Sequence, residues 1–162
     1  MKRAIIYYSL TNNTKSAAEQ LAEELEADVY RIEFVKPLPE SKAGQMFEGG
    51  RQATFGVKPE IIGIPEDFGR YDEILIGTPI WAGKCASPFN TLFENRALCE
   101  KIVAAFTYSG GGDNEGCIKR LKKILPNLKL DVALADGKTK FAPQNAGKLQ
   151  AFIDQLKTGQ SR

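Results

Sequence analysis

The sequence predicts a three-layer α/β sandwich around a five-stranded parallel sheet of order 2-1-3-4-5. Strand-like segments alternate with helical periodicities along the chain. Three of the strand segments are unbroken apolar runs and two alternate, which separates strands buried on both faces from strands at the edges. The length of 162 residues fits one domain at roughly 150 residues per domain, so 1–162 is read as a single unit.

The first strand, Arg3–Tyr8, carries the run Ala4-Ile5-Ile6-Tyr7-Tyr8. A helix follows, with Ala17, Ala18, Leu21, Ala22 and Leu25 on one face. The second strand, Asp28–Phe34, alternates imperfectly: Val29, Ile32 and Phe34 stand among Asp28, Arg31 and Glu33, as at an edge. Lys36–Pro65 is irregular, with Pro37, Pro39, Gly44, Gly49, Gly50, Gly56, Pro59, Gly63 and Pro65. A stretch this long is functional, hides local structure, or is a surface excursion over an edge. The third strand, Glu73–Gly77, is apolar at Ile74-Leu75-Ile76, and the helix after it is marked by Phe89, Leu92 and Phe93. The fourth strand, Ile102–Tyr108, is again continuous, and Ile118, Leu121, Ile124 and Leu125 mark a helix stopped by Pro126. The fifth strand, Lys129–Ala135, alternates with Leu130, Val132 and Leu134 on one face; Leu149, Phe152, Ile153 and Leu156 mark the last helix. Apolar runs put strands 1, 3 and 4 inside, and alternation puts 2 and 5 outside. No repeat, linker or low-complexity segment interrupts the pattern.

Composition removes several classes of function. Hydrophobic residues at 43% and charged residues at 26% are ordinary for a globular protein, and a net charge of +2 argues against a dedicated nucleic-acid or acidic-membrane binder. Histidine is absent, which eliminates imidazole-based triads, metal sites and pH switches. The cysteines at 85, 99 and 117 are odd in number and form no Cys-x-x-Cys pair. A disulfide framework or zinc ribbon is therefore disfavoured, and a reducing cytoplasm is the simplest location. No apolar run approaches the ~20 residues of a membrane span, and the return of polar residues at Ser9 argues against a secretory signal. The basic run Lys119-Arg120-x-Lys122-Lys123 reads as a solvated helix face.

In a sheet of this order, ligands bind beyond the carboxyl ends of the strands, where the order reverses. After strand 1 comes Ser9-Leu10-Thr11-Asn12-Asn13-Thr14, running straight into a helix. Hydroxyl and amide groups meet free backbone N–H groups there, a place that favours anions. One N-cap, Thr11 or Asn12, would satisfy an ordinary helix start; five such residues in six exceed that need. The patterns of a P-loop and of a Gly-x-Gly-x-x-Gly turn are both missing, so a phosphate would be held by neutral donors. After strand 3 comes Gly77-Thr78-Pro79-Ile80-Trp81-Ala82-Gly83-Lys84, with the one tryptophan of the chain among small residues. Its indole could stack on a planar ring or fold back on the core. After strand 4, Ser109-Gly110-Gly111-Gly112-Asp113 combines three glycines, which suits close backbone approach to a ligand or a plain flexible turn.

Other uses of such a sheet fail on their residues. A receiver domain needs acids after strand 1 and an aspartate ending strand 3, where Ser9 and Gly77-Thr78 stand. A low-molecular-weight phosphatase needs Cys-x5-Arg; six residues beyond the cysteines lie Thr91, Ala105 and Lys123.

Tyr8-Ser9-x-Thr11-x-Asn13-Thr14 resembles the phosphate loop of flavodoxins, and Gly-Thr-Pro-Ile-Trp-Ala-Gly and Ser-Gly-Gly-Gly resemble their two isoalloxazine loops. The resemblance runs through essentially the whole chain and implies a flavodoxin-like fold with noncovalent FMN. It implies that Ser9, Thr11, Asn12, Asn13 and Thr14 bind the phosphate. Thr78, Pro79, Ile80, Trp81, Ala82 and Gly83 would border the ring, with Trp81 stacking, and Ser109, Gly110, Gly111 and Gly112 would contact the pyrimidine edge. A peptide near Ala82-Gly83 is expected to hydrogen-bond flavin N5 and to turn with redox state. The implied role is to carry single electrons between redox partner proteins, with no catalytic residue or metal of its own. The alternative is an FMN-dependent NAD(P)H:quinone-type reductase, with Lys36–Pro65 helping to wall a substrate pocket. The chain departs from the family pattern at three points. Asn12 stands at a usual glycine, the third loop lacks a covering aromatic, and Lys84 beside the ring with a +2 charge implies a potential less extreme than that of acidic carriers.

Overall fold

In the computed structural model, which describes residues 1–159, the central sheet follows the expected order. Gln160–Arg162, the end of the expected 1–162 unit, lie outside the described residues. The strands are β1 (Arg3–Tyr7), β2 (Asp28–Arg31), β3 (Glu33–Phe34), β4 (Ile61–Ile62), β5 (Glu73–Trp81), β6 (Lys84–Cys85), β7 (Ile102–Ser109) and β8 (Leu130–Ala135). The helices are α1 (Asn13–Leu25), α2 (Lys42–Thr54), α3 (Pro88–Leu92), α4 (Arg96–Cys99), α5 (Glu115–Ile124) and α6 (Asn145–Lys157). The path β2-β1-β5-β7-β8 is parallel throughout; β6 adds a short antiparallel strand beside the end of β5.

Alternation on β1 divides the core. Ile5 and Tyr7 join Leu75, Phe106 and Leu134 under Ala18, Leu21, Phe152 and Ile153 of α1 and α6. Ala4, Ile6 and Tyr8 point the other way, to Phe89, Leu92, Cys117 and Leu121 of α3 and α5. Apolar side chains on both faces of β1, β5 and β7 are thus removed from water, as their continuous runs require. The buried charge of Glu73 is met by Arg3, whose Nε donates to Oε2 at 3.0 Å and whose Nη2 donates to the Leu156 carbonyl at 3.0 Å.

Four expectations are corrected. The second strand is shorter than Asp28–Phe34. After Arg31 the chain turns in, buries Ile32, and Glu33–Phe34 leave the main sheet to pair antiparallel with β4. Val29, on the same side as its partner Ile5, is 39% exposed at the edge of the sheet. The third strand runs past Gly77 to Trp81 and turns back through Ala82-Gly83 into β6, so Trp81 ends a strand. Ile124, expected on the inner face of α5, is exposed at its last turn. The basic run on α5 faces solvent as expected.

Lys36–Pro65 holds the 13-residue helix α2, which the sequence pattern conceals. Gly44, Gly49 and Gly50 lower its propensity, and its inward face is only Gly49 and Ala53, while Met46 and Phe47 face outward. Ser41 caps it, its Oγ accepting from the Gly44 N–H at 3.1 Å. The excursion is tied to the α3 region by Ser87 Oγ to Gln52 Oε1 (2.6 Å), Asn90 Nδ2 to the Val57 carbonyl (2.9 Å) and Thr91 Oγ1 to the Pro59 carbonyl (2.6 Å).

Candidate functional site

Parallel strands end at the same edge, so the loops after β1, β5 and β7 rise together beyond their carboxyl ends.

The loop after β1 is shaped for an anion. Ser9 is 4% exposed, and its Oγ is a buried side-chain oxygen without a hydrogen-bond partner among the described residues. A buried hydroxyl left unpaired costs about 1–3 kcal/mol, which a bound acceptor would recover. Asn12 sits at the N-cap in the left-handed region (φ 67°), where asparagine is tolerated in place of glycine, and it makes no side-chain capping bond. The start of α1 therefore keeps donors for a ligand, and the helix end favours negative charge. Thr11 is exposed and accepts from Asn13 Nδ2 at 3.3 Å; Thr14 is buried at the base.

The loop after β5 is a two-residue hairpin turn. Ala82 (φ 50°) and Gly83 (φ 77°) both have positive φ, as a type I′ turn requires. Thr78 is fully buried: its hydroxyl donates to the Pro79 carbonyl (2.8 Å) and accepts from the Ala86 N–H (3.0 Å), fixing the hairpin base. Pro79, Ile80 and Trp81 are half-buried, and Ala82 and Gly83 are exposed. Trp81 meets the edge of Tyr8 (centroids 5.5 Å), which in turn meets Phe34 (5.3 Å). Its six-membered ring lies against Gly49 of α2, where an added Cβ would fall 3.2 Å from Cε3. Beside it is a cavity of about 180 Å³ lined by Leu10, Gln45, Met46, Gly49, Gly50, Ile80, Trp81 and Ala82. Burial pushes the Tyr8 phenol, packed against Trp81, up to about 12, so it stays neutral.

In the loop after β7, Ser109 Oγ donates to the Asp113 carbonyl at 3.1 Å and Gly112 takes φ 78°. A Cβ on Gly110 or Gly111 would meet nothing within 4 Å, so both present bare backbone. Asp113 Oδ1 accepts from the Glu115 N–H at 3.0 Å and leads the chain into α5.

Three contributions were not foreseen. Arg31 Nη2 donates to the Ser9 carbonyl at 3.0 Å, which sets a cation behind a loop expected to have none. Its pairing opposite Tyr7 brings it there, and the adjacency of strands 2 and 1 in the expected order was the available signal. The turn after β8 reaches the same loop: a Cβ on Gly137 would lie 3.6 Å from Asn13 Oδ1. The α2 residues beside Trp81 were hidden with their helix. Lys84, next to the Ala82-Gly83 turn, directs Nζ to the Thr54 carbonyl at the end of α2 (3.3 Å), where a helix dipole favours a cation.

The arrangement offers an anion cradle at one end and a flat apolar wall at the other. A family model described as Flavodoxin matches residues 2–156. The chain is similar to a flavoprotein from Lactobacillus acidophilus NCFM whose crystal structure is a complex with FMN. Identity is 26%, with 84% of this chain and 93% of that one covered and a TM-score of 0.67. A WrbA-like flavodoxin from Agrobacterium tumefaciens (15% identity, 97% and 98% covered, TM-score 0.59) shares the fold. So does a flavodoxin from the domain Archaea (18%, 98% of each chain, TM-score 0.55).

Proposed function

The chain belongs to the flavodoxin family, and we propose that it binds FMN at this edge and carries single electrons between redox partner proteins. The observation that carries the cofactor reading is the unpartnered buried Oγ of Ser9 in a loop whose helix start is uncapped. The neighbour of 26% identity solved with FMN supports it. Ser9, Thr11, Asn12, Asn13 and Thr14 would hold the phosphate. Arg31 steadies the Ser9 carbonyl from behind and lends positive charge without itself entering the loop. Pro79, Ile80, Trp81, Ala82 and Gly83 would border the ring, and Ser109, Gly110, Gly111 and Gly112 its polar edge. Thr78 acts one step back, holding the hairpin through its hydroxyl. Bound flavin supplies the redox chemistry; the protein binds, orients and sets the electrostatics.

The carrier role is favoured by the exposed apolar surface beside these loops. Met46 (72%), which lines the cavity at Trp81, and Phe47 and Phe55 (75% each) are exposed, apolar surface suited to transient docking of a protein. The reductase reading has one observation of its own: α2 walls that cavity with Gln45 and Met46, as a substrate pocket would need.

The test is an anaerobic reductive titration of the FMN-loaded protein followed in the visible spectrum. Two resolved one-electron stages, with no bleaching by NADPH alone, are expected of the carrier. A single two-electron course with direct bleaching by NADPH would favour the reductase. Failure to retain FMN would overturn both.

A further inference from the structure

Two side chains without a part in the proposed cofactor contacts meet directly behind the hairpin. Cys85 of β6 and Cys117 in the first turn of α5 are 32 positions apart in sequence, yet their sulfurs lie 3.2 Å apart. Both are buried and free. Cys99 is elsewhere, its Sγ facing the Phe93 carbonyl at 3.5 Å. We propose that Cys85 and Cys117 are a reversible dithiol–disulfide pair that, when oxidised, locks the Trp81–Lys84 hairpin to the start of α5. Pairing does not depend on FMN; its effect on cofactor binding rests on the reading above.

The geometry asks for little movement. A disulfide needs the sulfurs at about 2.05 Å, roughly 1 Å closer than they stand. Cys85 belongs to a two-residue strand held by Ile80 and Trp81 and is joined to them by the two-residue turn, so a small shift of the hairpin suffices. The hairpin tip already lies over α5: an added Cβ on Gly116 would be 3.8 Å from the Gly83 carbonyl.

The two thiols are not equivalent. Cys85 is pushed well up by sharing its proton with Cys117 and by burial; Cys117 is held down by that hydrogen bond and by Arg120, against burial and Asp131. Cys117 also sits near the positive end of α5, where a thiolate is favoured. It is therefore the attacking sulfur, and Cys85 resolves.

Burial restricts the oxidant to a small one, and hydrogen peroxide fits. The Cys117 thiolate attacks one peroxide oxygen, the O–O bond breaks, and the departing hydroxide is protonated to water, leaving a sulfenic acid. The Cys85 sulfur then loses its proton and attacks the Cys117 sulfur. The S–O bond breaks, and the second oxygen leaves as water. The pair gives up two electrons and two hydrogens, and one peroxide becomes two waters. A dithiol reductant reverses the step by exchange.

The experiment uses the full chain with and without FMN. The protein is treated with hydrogen peroxide, denatured, alkylated and mapped by mass spectrometry. Three cysteines are expected to alkylate before oxidation and only Cys99 after it, with a peptide linking Cys85 to Cys117, and dithiothreitol should restore all three. Full alkylation after peroxide, or Cys117 driven to sulfinic acid without a link, would overturn the pair. Cys99→Ser should link as the parent does. The emission of Trp81, the one tryptophan, should shift on oxidation with or without FMN. Unchanged emission in a linked protein would overturn the coupling to the hairpin. Loss of FMN binding in both redox forms would count against the cofactor reading and leave the link standing.

Discussion

The Ser9–Thr14 loop and the Trp81–Lys84 hairpin stand on the same edge of the sheet but are held by different means. The loop is local: a strand end, one left-handed residue at Asn12 and a helix start, with Arg31 as its distant support. The hairpin depends on residues far along the chain, with Gly49 under Trp81, Thr54 holding Lys84 and Cys117 against Cys85. Local construction makes the Ser9–Thr14 loop readable and tolerant, whereas distributed construction makes the hairpin sensitive to changes elsewhere.

The largest test of that contrast is at Gly77, the residue of β5 that stands between Tyr7 and Phe106. A Cβ there would run into the buried Phe106 ring. Overpacking predicts that Gly77→Ala lowers stability by about 3 kcal/mol in urea unfolding and disturbs Trp81 emission. An unchanged midpoint would show that the hairpin is not coupled to the sheet in this way.

Ser9→Ala separates binding from folding. It removes the unpartnered hydroxyl, so the cofactor-free protein should gain up to about 1 kcal/mol. FMN should bind about tenfold more weakly, or about 1.4 kcal/mol. Parallel losses in both measurements would mean that Ser9 is structural rather than poised for a ligand. A smaller change is expected at Ala82, where the side chain is carried at φ 50°. Ala82→Gly should raise the unfolding free energy in urea by about 0.5 kcal/mol, relief of left-handed strain exceeding the entropy cost of glycine.

One effect is confined to alkaline pH. Tyr8 ionises near 12 in the fold against its usual value near 10, mainly through burial, with Arg31 pulling it slightly down. Folding therefore favours the neutral phenol. That contribution is complete below about pH 10 and fades as pH rises through about 12. Tyr8→Phe should hold its urea midpoint further into that window than the parent; identical alkaline profiles would remove Tyr8 from this role.

Much of this was legible in the residues. Continuous apolar runs on the first, third and fourth strands announced burial on both faces, and the sheet order followed. The cluster of hydroxyls and amides at Ser9–Thr14 was legible as a polar loop at a helix start because the donors and the helix start are neighbours in sequence. The helix α2 was not legible, since its contact with the core is made by Gly49 and Ala53, which carry almost no hydrophobic signal, while Met46 and Phe47 point away. Arg31 and Cys117 were also hidden, because each acts on a partner more than twenty residues distant.

The sequence by itself determined the five strands of the main sheet, their order and the edge at which a ligand would sit, though not every strand's bounds, since periodicity and local capping act within a few residues. Only the tertiary structure decided which side chains reach that edge. It turned the Thr78 hydroxyl inward, drew Lys84 to the end of α2, and set two cysteines of an apparently unpaired three face to face. Those outcomes depend on how the layers pack, and packing joins residues that no local pattern connects.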